Sequence, residues 1–113
     1  MNDLRTMSCK PPKMGGPSLD TSDINIYLPQ IPDWEVIEVG GVKRLTHQYK
    51  FNNFVTALEF TNKVGVLAEQ EDHHPAILTE WGKVTITWWT HAVSGLHIND
   101  FIGAAKTDQI FAG

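Results

Sequence analysis

A chain of 113 residues with 42% hydrophobic side chains can build one cored domain and leaves no room for a second. Its formal charge of −4, with no basic cluster, argues against direct nucleic-acid binding and against attraction to an acidic membrane. Cys9 is the one cysteine, so an intrachain disulfide is excluded and a reducing compartment is expected.

No stretch approaches membrane-spanning length and the first residues carry no apolar signal core, so a soluble cytoplasmic protein is expected. Residues 1–17 contain Pro11, Pro12, Gly15, Gly16 and Pro17, too closely spaced for a helix or central strand, and are read as an extended or mobile arm. Residues 18–113 form the single domain. Ser18, Asp20, Thr21 and Ser22 offer caps for a short helix reaching Leu28, stopped by Pro29 and Pro32. Trp34 to Val39 alternates as a strand, Gly40-Gly41 makes a two-residue turn, and Val42 to Phe51 returns. On that return strand Leu45, His47, Tyr49 and Phe51 share one face, which places His47 in the core or an interface.

Asn52-Asn53 caps a long helix from Phe54 to about Asp72. Its apolar residues Phe54, Ala57, Leu58, Phe60, Val64, Leu67 and Ala68 cover nearly half the circumference, more than one sheet face requires. Two explanations stand: a second buried contact with another subunit, or a thick core under a small sheet. Pro75 opens a strand to Trp81, Gly82-Lys83 turns it, and Val84 to Thr90 returns with Val84, Ile86 and Trp88 on one face and Thr85, Thr87 and Trp89 on the other. One further residue of strand would put His91 on the Trp89 face. Ser94-Gly95 breaks the chain, and Asn99 is read as the cap of a last helix beginning at Asp100. Two hairpins joined by a crossing helix give an α+β fold: a four-stranded antiparallel sheet with helices on one face, a two-layer sandwich.

The stretch Glu69-Gln-Glu-Asp-His73-His74-Pro75 breaks a local rule. Carboxylates crowd a helix C-terminus, where the dipole disfavours them, and no Lys, Arg or Gly closes the helix. Such a conflict points to a site. A zinc centre needs three or four converging ligands, and neighbouring histidines on extended chain point apart. Nucleophilic catalysis would rest on Ser94, which has no elbow motif around it. Metal-free acid–base chemistry by His73, His74 and His91, with Glu69 and Asp100 orienting the rings, suits the residue types, because imidazole exchanges protons near neutral pH.

The pattern Glu69-x₃-His73-His74-Pro75-x₅-Trp81-x₉-His91-x₈-Asp100 resembles the signature of the pterin-4a-carbinolamine dehydratases, and the likeness runs from about Trp34 to the C-terminal helix. The resemblance implies removal of water from the 4a-carbinolamine that aromatic amino-acid hydroxylases leave behind, giving quinonoid dihydropterin. It also implies that no metal or organic cofactor is needed. Carried over by position, His73 and His91 would transfer protons, His74 would bind the pterin, and Glu69 and Asp100 would support the histidines or touch the ring. Trp81 would be a pocket wall and Pro75 a structural fixture. Family resemblance further implies homodimers or homotetramers built through sheet edges and long helices. Two rivals travel with it: a dimerisation cofactor for a homeodomain transcription factor, and an enzyme acting on a pterin of molybdenum cofactor metabolism.

Overall fold

The computed structural model describes residues 3–113, so the first two residues of the expected arm lie outside the described residues. Strands β1 (Glu35–Val39) and β2 (Val42–Lys50) form the first hairpin, α2 (Phe54–Glu71) crosses over, and β3 (Ala76–Glu80) and β4 (Lys83–Trp88) form the second. The crossing inserts β4 beside β2, giving the antiparallel order β1-β2-β4-β3 with Leu45 opposite Trp88 and Ile77 opposite Ile86. Helices α1 (Thr21–Tyr27), α2 and α3 (Ile98–Ala112) complete the expected α+β sandwich.

Side-chain alternation decides which face is covered. Leu45, Tyr49, Val84, Ile86 and Trp88 point under the helices and are buried. The opposite face carries a threonine pair, Thr46 and Thr87 with their hydroxyls 3.0 Å apart, and the Arg44 guanidinium 4.0 Å over the Trp89 ring. Helix α3 lies directly on the Trp88 indole because Gly103 has no side chain; a Cβ there would sit 2.8 Å from Trp88 Cε2.

Local chemistry sets the helix ends. Asp20 and Asp23 exchange backbone hydrogen bonds in a capping box at the start of α1. As expected, α1 ends ahead of Pro29, which sits in a single 3-10 turn, Leu28–Gln30, at a position with no use for its missing N–H. Asn53 caps α2 through Thr56 N–H at 2.8 Å. The second hairpin turns at Trp81-Gly82, not Gly82-Lys83, since Gly82 takes the positive φ of +77°. The cap of the last helix is His97, two residues before the expected Asn99. Asn99 lies inside the first turn, where its side chain serves the N-terminal arm instead.

That arm is mostly irregular but is pinned to the domain. Leu4, in a 3-10 turn over Leu4–Thr6, is fully buried in the core, and Cys9, Lys10 and Gly15 all donate backbone hydrogen bonds to the domain. On α2 the core takes Ala57, Phe60, Val64, Leu67 and Ala68. It leaves out Phe54 and Leu58, which stay exposed together with Val55 and Val66. A thick core under the sheet therefore does not use up the wide apolar face.

Candidate active site

The end of α2 closes in a Schellman motif: His73 N–H reaches Ala68 O at 3.2 Å and Asp72 N–H reaches Glu69 O at 3.4 Å. Glycine is the usual residue at the left-handed position of this motif, yet here Asp72 holds it, at φ 51° and ψ 42°. Aspartate tolerates that region better than most residues, so the fold keeps a carboxylate at the bend at modest cost. Beyond the bend the two histidines part, His73 largely buried and His74 exposed.

His73 Nε2 lies 2.6 Å from Asp100 Oδ1. Asp100 is completely buried at the start of α3, and its second oxygen accepts from Thr90 Oγ1 at 2.8 Å and from His97 N–H at 2.9 Å. With both oxygens accepting, the proton between ring and carboxylate belongs to Nε2, and Nδ1 is left as the atom that can exchange protons with a ligand. The imidazole also stacks on Trp88 at 5.4 Å and 20°. Gly103, Trp88, His73 and Asp100 thus form one packed unit, which fixes the ring from two sides.

His74 bonds Glu69 Oε2 through Nε2 on the exposed side. His91 is not a strand residue, because β4 ends at Trp88; it opens a 3-10 turn, His91–Val93, and is exposed. Even so, His73, His74 and His91 all face one cleft of about 390 Å³, lined also by Asp72, Trp89, Thr90, Ala92 and Pro12. Four larger hollows, of about 460 to 720 Å³, lie elsewhere on the surface; three have no histidine in the wall and the fourth, over β2, has His47 alone. The three-histidine cleft is the chemically equipped one.

Of the other expected site residues, Asp100 backs the cleft, Glu69 touches it only through His74, and Pro75 leads into β3. Trp81 is not brought in. It sits 73% exposed at the far hairpin turn, one full strand of about 15–20 Å from Pro75. Trp89, Thr90 and His97 went unassigned in the sequence. Trp89 carried a signal, an indole on the threonine face away from the core; His97 carried none until it proved to be a helix cap.

His97 accepts from Asn99 N–H through Nδ1 at 3.1 Å, a bond that needs the neutral ring. Its pKa is pushed below the ordinary imidazole value by burial and further by the neighbouring His73, against the pull of Asp100. Among the described residues, no three His, Cys, Asp or Glu side chains are grouped as a metal-ligand set.

A cleft walled by imidazoles, one of them braced by a buried carboxylate, holds the residue types that acid–base chemistry uses. Residues 17–110 match the family model for pterin 4 alpha carbinolamine dehydratase. Relatives provisionally named pterin-4-alpha-carbinolamine dehydratase occur in Nitrosococcus oceani, 56% identical over 97% of both chains, and in Syntrophotalea carbinolica, 51% identical over 97% of this chain and 98% of its own. A crystal structure of a transcriptional coactivator/pterin dehydratase from Brucella melitensis superposes with a TM-score of 0.74 at 31% identity, covering 82% of this chain and 97% of that one. The chain belongs to the pterin-4a-carbinolamine dehydratase family.

Proposed function

We propose that this protein is a hydro-lyase that takes water from a 4a-hydroxytetrahydropterin and releases quinonoid dihydropterin, using histidine acid–base chemistry alone. The observation that carries the reading is the convergence of His73, His74 and His91 on one cleft with Asp100 behind His73.

The reaction breaks the C4a–O bond. The N5 lone pair forms the C4a–N5 double bond, the hydroxyl leaves as water with one added proton, and N5 gives up its own proton. Because nitrogen already pushes the hydroxyl out, a proton at the leaving oxygen and a base at N5 suffice, each worth about 10²–10⁴ in rate. His73, with Nε2–H held by Asp100, has its Nδ1 lone pair free to take the N5 proton. His91, exposed on the opposite segment of the cleft, exchanges protons with water readily and delivers one to the departing hydroxyl. His74, tethered to Glu69, holds the pterin.

The exposed stripe on α2 supports a homo-oligomer in which a second copy covers it. Trp81, remote from the cleft of its own chain, has no catalytic part in this reading. Cytoplasmic recycling of the pterin left by an aromatic amino-acid hydroxylase is the corresponding physiological setting.

Stopped-flow dehydration of a freshly generated 4a-carbinolamine tests the proposal. The purified protein should accelerate quinonoid formation well beyond the spontaneous rate. A rate unchanged by stoichiometric protein would dispose of it.

A further inference from the structure

The N-terminal arm lies ahead of residue 17, where the family match begins, and yet it reaches the cleft. Pro12 is part of the cleft wall beside Trp89 and Ala92. We propose that residues 9–16 are a fixed wall of the substrate pocket, with Pro12 as the residue that meets the pterin and Asn99 as the clamp that holds the wall in place. The inference rests on the dehydratase reading and adds a binding determinant to it.

The stitching is dense for a segment without regular structure. Asn99, 1% exposed, uses both ends of its amide on one arm residue: Oδ1 accepts Lys10 N–H at 3.0 Å and Nδ2 donates to Lys10 O at 2.6 Å. Cys9 N–H donates to Glu71 Oε1 at 2.8 Å, and Glu71 is itself anchored by Lys106 at 2.9 Å. On the far side of Pro12, Gly15 N–H donates to Ala92 O at 2.8 Å, one residue after His91. Leu19 N–H reaches Leu96 O at 2.8 Å, and Gly95 lets Ser18 approach so closely that a Cβ there would lie 2.8 Å from Ser18 Cβ. Pro12 is therefore held between two sets of arm-backbone bonds, to Glu71 of α2 and Asn99 of α3 before it and to the His91 turn after it.

Buried polar groups this completely paired are costly to leave unmatched, so the arm's path is specified, not adventitious. Proline suits the position: it donates no N–H, its φ is fixed, and it presents an apolar surface to a flat ring at little entropic cost. The imidazoles give the cleft its polar wall, while Pro12, Ala92 and Trp89 supply the apolar one. An apolar wall that touches bound substrate and transition state alike acts on KM and leaves kcat nearly alone.

The test is steady-state and stopped-flow kinetics on Pro12→Gly, Pro12→Trp and Asn99→Ala, with Pro17→Gly, exposed and outside both the wall and the cleft, as the comparison. Pro12→Gly and Asn99→Ala should raise KM by about 5- to 20-fold with kcat within about twofold, and Pro12→Trp should lower kcat/KM by more than about tenfold by filling the cleft. Hydrogen exchange at the Lys10 and Gly15 amides should slow when oxidised biopterin is bound to the wild-type protein, an effect that a merely structural arm would not show. Unchanged KM in both Pro12 variants, or arm exchange indifferent to biopterin, would overturn the wall. A wild-type chain that neither dehydrates the carbinolamine nor binds biopterin would overturn the dehydratase reading and the wall with it.

Discussion

Asp100 grips His73 through one carboxylate oxygen, at 2.6 Å, while its other oxygen is fully used by Thr90 and by the His97 amide. The carboxylate cannot turn without giving up two donors, so the ring it holds cannot turn either. Helix α3 thereby sets the orientation of a side chain that belongs to the end of α2.

Replacing Asp100 by Asn tests this coupling. The amide has one acceptor, and satisfying Thr90 and His97 N–H with it aims the NH₂ group at His73 Nε2. His73 must then accept at Nε2 and carry its proton on Nδ1, which removes the basic lone pair from the cleft. The turnover number should fall by about 10²–10⁴ with far-ultraviolet dichroism unchanged. Turnover within a few-fold of wild type would mean that the tautomer of His73 is not what Asp100 controls.

The three histidines should separate kinetically. His73→Ala and His91→Ala each remove a proton-transfer group and should lower kcat by about 10²–10⁴. His74→Ala removes a contact made equally by bound substrate and transition state, so KM should rise while kcat holds. Equal kcat losses in all three would reject the division of roles.

How much of this was legible in the sequence follows from the range of each interaction. Alternation along β2 and β4 and the paired turns announced the sheet, because strand parity is a local property. The misplaced carboxylates and Asp72-His73-His74-Pro75 mark the candidate site for the same reason: a left-handed helix end without glycine is a local conflict. What stayed hidden depends on tertiary pairing. His97 reads as one more histidine until its amide meets Asp100, and Asn99 looks like a cap until Lys10, 89 residues earlier, is folded against it. Trp81 enters the expected set by motif position alone, and no local rule ties it to the cleft.

Stability should depend on pH through His97. Its folded-state pKa is held below the ordinary value of 6.5, chiefly by burial, so the unfolded chain binds the proton more readily. Unfolding free energy should therefore rise with pH through the window from the depressed folded value up to about 6.5, and flatten above it. Glu71, whose backbone and Lys106 hydrogen bonds hold it below the usual carboxylate value despite burial, adds a separate loss at more acid pH, below about 4.5. His97→Ser keeps an N-cap acceptor but removes the titrating ring, so urea midpoints between pH 5 and 7 should lose their slope. A slope that survives the substitution would move its origin elsewhere.

The remaining prediction concerns the uncovered face of α2. Val55, Leu58 and Val66 recur at helical spacing and are 64%, 42% and 58% exposed, with Phe54 beside them. Gly65 stands on the same side with open space where a side chain would be, a flat spot at which another helix can come close. A 12.7 kDa chain gains stability by burying such a stripe, at roughly 25 cal/mol per Å² of apolar surface removed from water. Gel filtration with light scattering should give a mass above the monomer at micromolar concentration, and Val55→Glu combined with Val66→Glu should shift it towards 12.7 kDa while leaving the dichroism spectrum intact. The double variant should also unfold at lower temperature, because the association stabilises only the folded chain. A monomer at every concentration, with the double variant no less stable than wild type, would show that the stripe faces water.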